Sequence, residues 1–167
     1  INGEIYAGHI GGISYFNQGV VKSISLPTYA RQHPVTCIIE YNGRILVATN
    51  GGGLLELKNG VFQKINTRRN MEFIRDLKIH KNKLCIATYE QVWVTEDLFL
   101  YDSLVMIPDG NIISLFPSLN ELLIGTYMNG LFSYIWSESR LVEIENTLRL
   151  SIKQFAQAKS GVILIAT

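Results

Sequence analysis

The chain has 167 residues, 47% of them hydrophobic and only 17% charged, with a net charge of +1. That is enough apolar material for the core of one ordinary domain. It excludes the basic field that nucleic-acid binding draws on and the like-charge blocks of a disordered tail. No stretch approaches the ~18 consecutive apolar residues of a membrane helix, so no membrane segment is expected in this chain. It begins at Ile1 rather than Met and stops on GVILIAT, a strand-like run, which gives the expectation of a piece of a longer protein.

In chain order, the first apolar run is EIYAG, with the small pair Ala7-Gly8, followed by GISYF and by VVKSI ending at Ile24. Next come VTCIIE, then RILVAT ending at Ala48-Thr49, then GLLEL, then VFQKI ending at Ile65. The same order returns as IRDLKI, KLCIAT (Ala87-Thr88), QVWVT and LVMI (Ile107), and again as IISLFP, ELLIGT (Gly125-Thr126), GLFSY and LVEI (Ile144). IKQFAQ and VILIAT (Ala166-Thr167) begin one more round. The small residues at 7, 48, 87, 125 and 166 are spaced by 41, 39, 38 and 41, close to the ~40 residues of a four-stranded propeller blade.

Each unit therefore reads as four short strands, A to D, separated by turn formers such as Asn42-Gly43, Asn59-Gly60, Gln18-Gly19 and Ser160-Gly161. Strand A has apolar residues at its first and fourth positions, as in Val35 and Ile38 or Ile74 and Leu77. Strand B is apolar throughout, as a strand covered on both faces must be. The strongest helical rival, NTLRLSIKQFAQAKS, falls by register on a loop and a strand A. The expectation is an all-β fold, a β-propeller of about four blades of four antiparallel strands, part of a larger propeller. The repeat units fall at approximately 1–34, 35–73, 74–111, 112–151 and 152–167. Open ends would need further blades or a second copy of the chain, a homodimer, to cover them.

The pattern of a spaced apolar strand A, a Gly turn, L-x-I-[A/G]-T and G-L-x-x-Y/L is clearest in NGRILVATNGGGLLEL and NELLIGTYMNGLFSY. It resembles the two-component regulator propeller repeats of the extracytoplasmic sensor regions of bacterial hybrid histidine kinases. The resemblance implies a periplasmic or extracytoplasmic, membrane-anchored signalling protein that senses a ligand, in that family often an oligosaccharide. The family favours Trp two residues before the small residue, where this chain has Leu46, Cys85, Leu123 and Leu164. It favours Asp-x-x-Gly before strand B, where this chain has other turn formers.

No cofactor, metal site or catalytic residue is expected. Gly51-Gly52-Gly53 lacks the spacing and lysine of a phosphate loop and precedes a strand. His9, His33 and His80 show no metal-ligand spacing. The carboxylates Glu40, Asp76, Asp97 and Glu121 read as solvated turn residues. Cys37 and Cys85, each inside an apolar run, read as buried free thiols. The residues that follow the Thr anchor are His9, Asn50, Tyr89 and Tyr127, and they open the loop between strands B and C. With Arg31, His33, Arg68 and Arg69 of the blade connections, they form the expected ligand surface at the channel mouth: aromatic faces for sugar rings, polar groups for hydroxyls. Two alternatives stay open, a protein-interaction scaffold and a propeller glycosidase or lyase.

Overall fold

The computed structural model describes residues 4–67 and 71–167. Seventeen strands and no helix are present among the described residues, so no helix is long and apolar enough to cross a membrane. The first sheet holds β1 (Ile5–His9), β2 (Gly12–Asn17) and β3 (Val20–Ser25). Three four-stranded sheets follow. They are β4 (Val35–Tyr41) to β5 (Arg44–Thr49), β6 (Gly53–Lys58) and β7 (Val61–Lys64); then β8 (Asp76–His80) to β9 (Lys83–Ala87), β10 (Gln91–Thr95) and β11 (Asp102–Met106); then β12 (Ile112–Pro117) to β13 (Glu121–Thr126), β14 (Leu131–Ile135) and β15 (Arg140–Glu143). The hairpin of β16 (Gln154–Gln157) and β17 (Ile163–Ala166) ends the chain. All pairings are antiparallel, and strands are ordered by sequence within each sheet. The helical rival is loop plus β16.

The hairpins are tight because their turn residues tolerate positive φ. Asn42 and Gly43 lie at 50° and 70°, and Asn59 and Gly60 at 51° and 77°, the sign pair of a two-residue I′ turn. Lys81 and Asn82, at 44° and 65°, make the same turn without glycine.

Alternation along the second strand of each sheet stacks the sheets face to face. In β9, Leu84 and Ile86 join a core layer with Leu46, Ala48 and Leu54 of the preceding sheet. Their neighbours Cys85 and Ala87 join a different layer with Leu115, Leu122 and Ile124 of the following sheet. In β13, Leu122 and Ile124 face back, while Leu123 packs forward with Ile152, Phe155 and Ile163. Trp93, 8% exposed, fills the first of these layers. The innermost strands β4, β8, β12 and β16 follow one another side by side, preceded by β1. The two ends are uncovered: Ile5 is 69% exposed and Leu164 56%, although both stand on strands whose counterparts are buried.

The small-Thr anchor has a physical cause. The small residue lies where the first apolar residue of the next sheet crosses the strand. A Cβ on Gly8 would come 2.5 Å from Val35 Cγ1, and one on Gly125 2.6 Å from the Ile152 carbonyl oxygen. The threonine closes the loop behind it. Thr49 Oγ1 donates to the Gly53 carbonyl at 2.9 Å and accepts from the Gly52 N–H at 2.9 Å, while Thr126 Oγ1 donates to the Gly130 carbonyl at 2.7 Å.

Candidate functional site

The loops after β5, β9 and β13 are fixed to the connections between sheets by backbone bonds. The Asn50 N–H donates to Pro34 O at 3.0 Å, the Ile112 N–H to Tyr89 O at 2.8 Å, and the Tyr127 N–H to Asn111 O at 2.9 Å. The Gly51 N–H reaches Glu72 O at 2.8 Å. Their side chains project from this frame. Tyr89 is 50% exposed and Tyr127 53%, so each presents an aromatic ring from a rigid base. Asn50 is half-buried.

His33 is brought to the Asn50 loop. Its imidazole packs against Gly51, where a Cβ would lie 2.2 Å from His33 Nδ1, so only glycine fits. Gly51 also holds φ at 134°. Here the three-glycine run is a seat for a histidine. His9 is exposed and turns toward its own sheet, with Nδ1 2.9 Å from Ile10 O and Nε2 3.3 Å from Ser14 Oγ. Arg31 is exposed, and its Nε–H donates to Leu26 O at 3.3 Å. Arg68 and Arg69 lie outside the described residues. Exposed Ile10, Tyr29, Phe73, Met128 and Leu148 occupy the same loops and connections. Sequence reasoning passed over them, because single apolar loop residues carry no pattern.

A concavity elsewhere went unforeseen. It is a pocket of about 280 Å³ on the inner strands, spanning β4, β8, β12 and β16. Thr36, Arg75, Ser114, Lys153 and Gln154 line it, with Asp76 and Lys78. Its frame is a set of polar side chains at the third position of strand A, each reaching the inner strand of the next sheet. Cys37 Sγ donates to Leu77 O at 3.6 Å, the Leu115 N–H donates to Asp76 Oδ2 at 2.8 Å, and Ser114 Oγ donates to Ile152 O at 2.7 Å. Asp76 is thus a buried inter-sheet residue, where a solvated turn residue was expected. Its other oxygen accepts from the Leu77 N–H at 2.8 Å and from Lys78 Nζ at 2.9 Å. The register at 36, 75, 113 and 153 could have flagged the pocket, since two of its four residues are cations.

The remaining carboxylates are dispersed. Glu40 is the exposed penultimate residue of β4; Asp97 lies in the turn after β10; Glu121 starts β13 and accepts from Ser133 Oγ. The backbone N–H groups of Leu100 and Phe99 hold the Asp97 carboxyl below the usual range. Among the described residues, no three His, Cys, Asp or Glu side chains are grouped to hold a metal ion. Both cysteines are free thiols: Cys85 is buried and Cys37 half-buried. Burial pushes the Cys85 thiol up to about 12 and raises that of Cys37.

No family model matches the chain, and no curated protein matches it in sequence. Solved structures do. The whole chain superposes on the extracellular domain of a one-component system from B. thetaiotaomicron with a TM-score of 0.83 at 20% identity, covering 25% of that domain's chain. The extracellular domain of a hybrid two-component system from B. thetaiotaomicron matches over 98% of this chain and 23% of its own, with a TM-score of 0.77 at 15% identity. A catalytically inactive virginiamycin B lyase from Staphylococcus aureus matches over 98% of this chain and 66% of its own, at 0.76 and 12%. The chain thus spans about a quarter of the extracellular domains it resembles. Its fold is the β-propeller of those domains, the architecture that the repeat pattern implied.

Proposed function

We propose that this chain is part of a ligand-sensing, extracytoplasmic propeller of a two-component signalling protein, without catalytic activity of its own. The observation that carries the reading is the full-length superposition on the extracellular domain of a signalling protein at a TM-score of 0.83. Beside it stands the mouth, where Tyr89 and Tyr127 offer exposed rings and Asn50, His33 and Arg31 offer polar groups, His9 being turned to its own sheet. We assign an oligosaccharide as the ligand, stacked on the tyrosines with its hydroxyls met by the polar groups. Signalling requires that the ligand bind two arrangements of the propeller unequally. Further blades, or a second copy of the chain, cover the exposed ends.

The test is calorimetric titration of a panel of neutral and acidic oligosaccharides into the chain and into its Tyr89→Ala/Tyr127→Ala variant. Saturable binding, weakened about tenfold or more in the variant, supports the reading. Binding that ignores both tyrosines, or no binding to any member, overturns it. A protein-interaction propeller is the second reading, favoured by the exposed apolar residues Ile5, Val162 and Leu164 on the end sheets.

A further inference from the structure

The inner-strand pocket has a charge imbalance that the fold does not use. Of its three cations, only Lys78 is paired, with Asp76. Arg75, half-buried, and Lys153, exposed, have no hydrogen-bond or ion-pair partner for their side-chain nitrogens among the described residues. One carboxylate against three cations leaves the pocket with an excess of two positive charges, in a chain whose net charge is only +1. The imbalance is localised by register. Thr36, Arg75, Ile113 and Lys153 take the second position of the strand A register, within β4 and β12 and immediately before β8 and β16, so the cations recur at one level of the channel wall. Around them stand neutral hydrogen-bonding groups: the Gln154 amide, and the hydroxyls of Thr36 and Ser114, already committed to Ile74 O at 2.9 Å and Ile152 O at 2.7 Å. Asp76 is committed to two backbone N–H groups as well as to Lys78, so it is not available to neutralise Arg75. A planar guanidinium and a flexible ammonium, both with free donors beside a neutral amide, are a recognition set for an oxyanion.

We propose that this pocket is a binding site for a small oxyanion, a carboxylate, sulfate or phosphate group, held by Arg75 and Lys153 on the channel wall. At about 280 Å³ it lies just under the ~300–1,000 Å³ of pockets for drug-sized ligands, which sets the occupant at one such group with one ring attached. The site is separate from the mouth and stands whether or not Tyr89 and Tyr127 hold a sugar. Anion binding there draws together β8 and β16, strands two blades apart, and gives the wall a state that differs with occupancy.

The experiment is an amide-resolved NMR titration of the chain with inorganic sulfate, inorganic phosphate and glucuronate in turn, at constant ionic strength. The expected result is saturable shifts at the amides of Thr36, Ser114 and Gln154 at millimolar anion. Affinity should fall about tenfold in Arg75→Met and in Lys153→Met, as for loss of one charge-assisted hydrogen bond. It should weaken as sodium chloride is raised. Lys58→Met, at the outer β6–β7 turn, should bind as the parent does. Stronger glucuronate binding marks an acidic sugar as the source of the anion; stronger sulfate or phosphate binding marks a free or ester-linked inorganic group. No saturable shift with any of the three, or shifts that persist in the Arg75→Met/Lys153→Met double variant, overturns the proposal. Because Lys153 is exposed, its variant folds and keeps the test decisive if Arg75→Met does not.

Discussion

Asp76 is the residue on which two blades most directly depend. Replacing it by alanine removes the acceptor of the Leu115 N–H at 2.8 Å on the next inner strand, the acceptor of the Leu77 N–H at 2.8 Å, and the partner of Lys78 at 2.9 Å. A hydrogen bond to a charged group contributes roughly 1.5–3 kcal/mol net, and the loss is greatest where a buried donor is left without an acceptor, as at Leu115. The Leu77 bond is local and counts at the low end. The Lys78 pair adds well under ~1 kcal/mol, because that ammonium is more than a third exposed. Together these give a loss of about 3 kcal/mol for Asp76→Ala, a large share of the roughly 5–15 kcal/mol that holds a domain folded. Asp76→Asn keeps an acceptor for one N–H and should fall between. The assay is equilibrium urea unfolding at neutral pH, followed by the fluorescence of Trp93 and Trp136, which sit in the two core layers flanking β9. An Asp76→Ala variant within ~0.5 kcal/mol of the parent would refute the idea that these side chains hold the blades together.

The Tyr41 hydroxyl lies 2.8 Å from both Asn82 O and Glu96 O at the turns of the next sheet; Tyr41→Phe should cost about 1 kcal/mol in the same urea assay. Gly125→Ala should cost about 1–3 kcal/mol or more through overpacking, since its Cβ would lie 2.4 Å from Ser114 Oγ and 2.6 Å from Ile152 O. Differential scanning calorimetry would show the lowered melting temperature, and an unchanged one would count against the crossing contact. Burial raises the Cys85 thiol from its ordinary 9.0 and the Tyr101 phenol from its ordinary 10.0, each to about 12. Both groups then favour the protonated, folded form, so their contribution is complete below the ordinary values and lost as pH climbs through 9 and 10 toward 12. Stability should fall by up to about 1.4 kcal/mol per pH unit per group in that window, with a shallower slope in Cys85→Ala. A flat profile from pH 9 to 11 would contradict the burial of both.

Most of the architecture was legible because its causes are local and recurrent. The all-apolar run Leu46-Val47-Ala48 reports a strand covered on both faces, and the Asn-Gly pairs report positive φ at fixed places. The small residue before the Thr announced the crossing of the next inner strand, a contact 27 residues away in the case of Gly8 and Val35. Site chemistry was less legible. Asp76 reads in sequence like any acidic residue near a turn, since its role depends on an N–H 39 positions on, supplied by another sheet. The channel wall joins residues from four strands across 36 to 155, and only the repeat register relates them. At the mouth, the position after the anchor pair could be numbered in the first four copies, but His9 turns back to Ser14 while the tyrosines stand out. Side-chain direction there follows from loop geometry, which the repeat register alone does not specify.

The polar links between inner strands all run one way. Cys37, Asp76 and Ser114, with Thr36 and Tyr41, each reach forward from their own sheet to the main chain of the sheet that follows, and Gln154 stands at the same forward position on β16. The forward position at the β16 end holds Gln154, while the first sheet begins at β1, a second strand by register, with no inner strand before it among the described residues. A joint that continued this polarity would be head-to-tail, and such a heterologous joint either closes as a ring or continues without limit. A sheet added in that sense would repeat the direction that Thr36, Cys37, Asp76 and Ser114 already set along the inner strands.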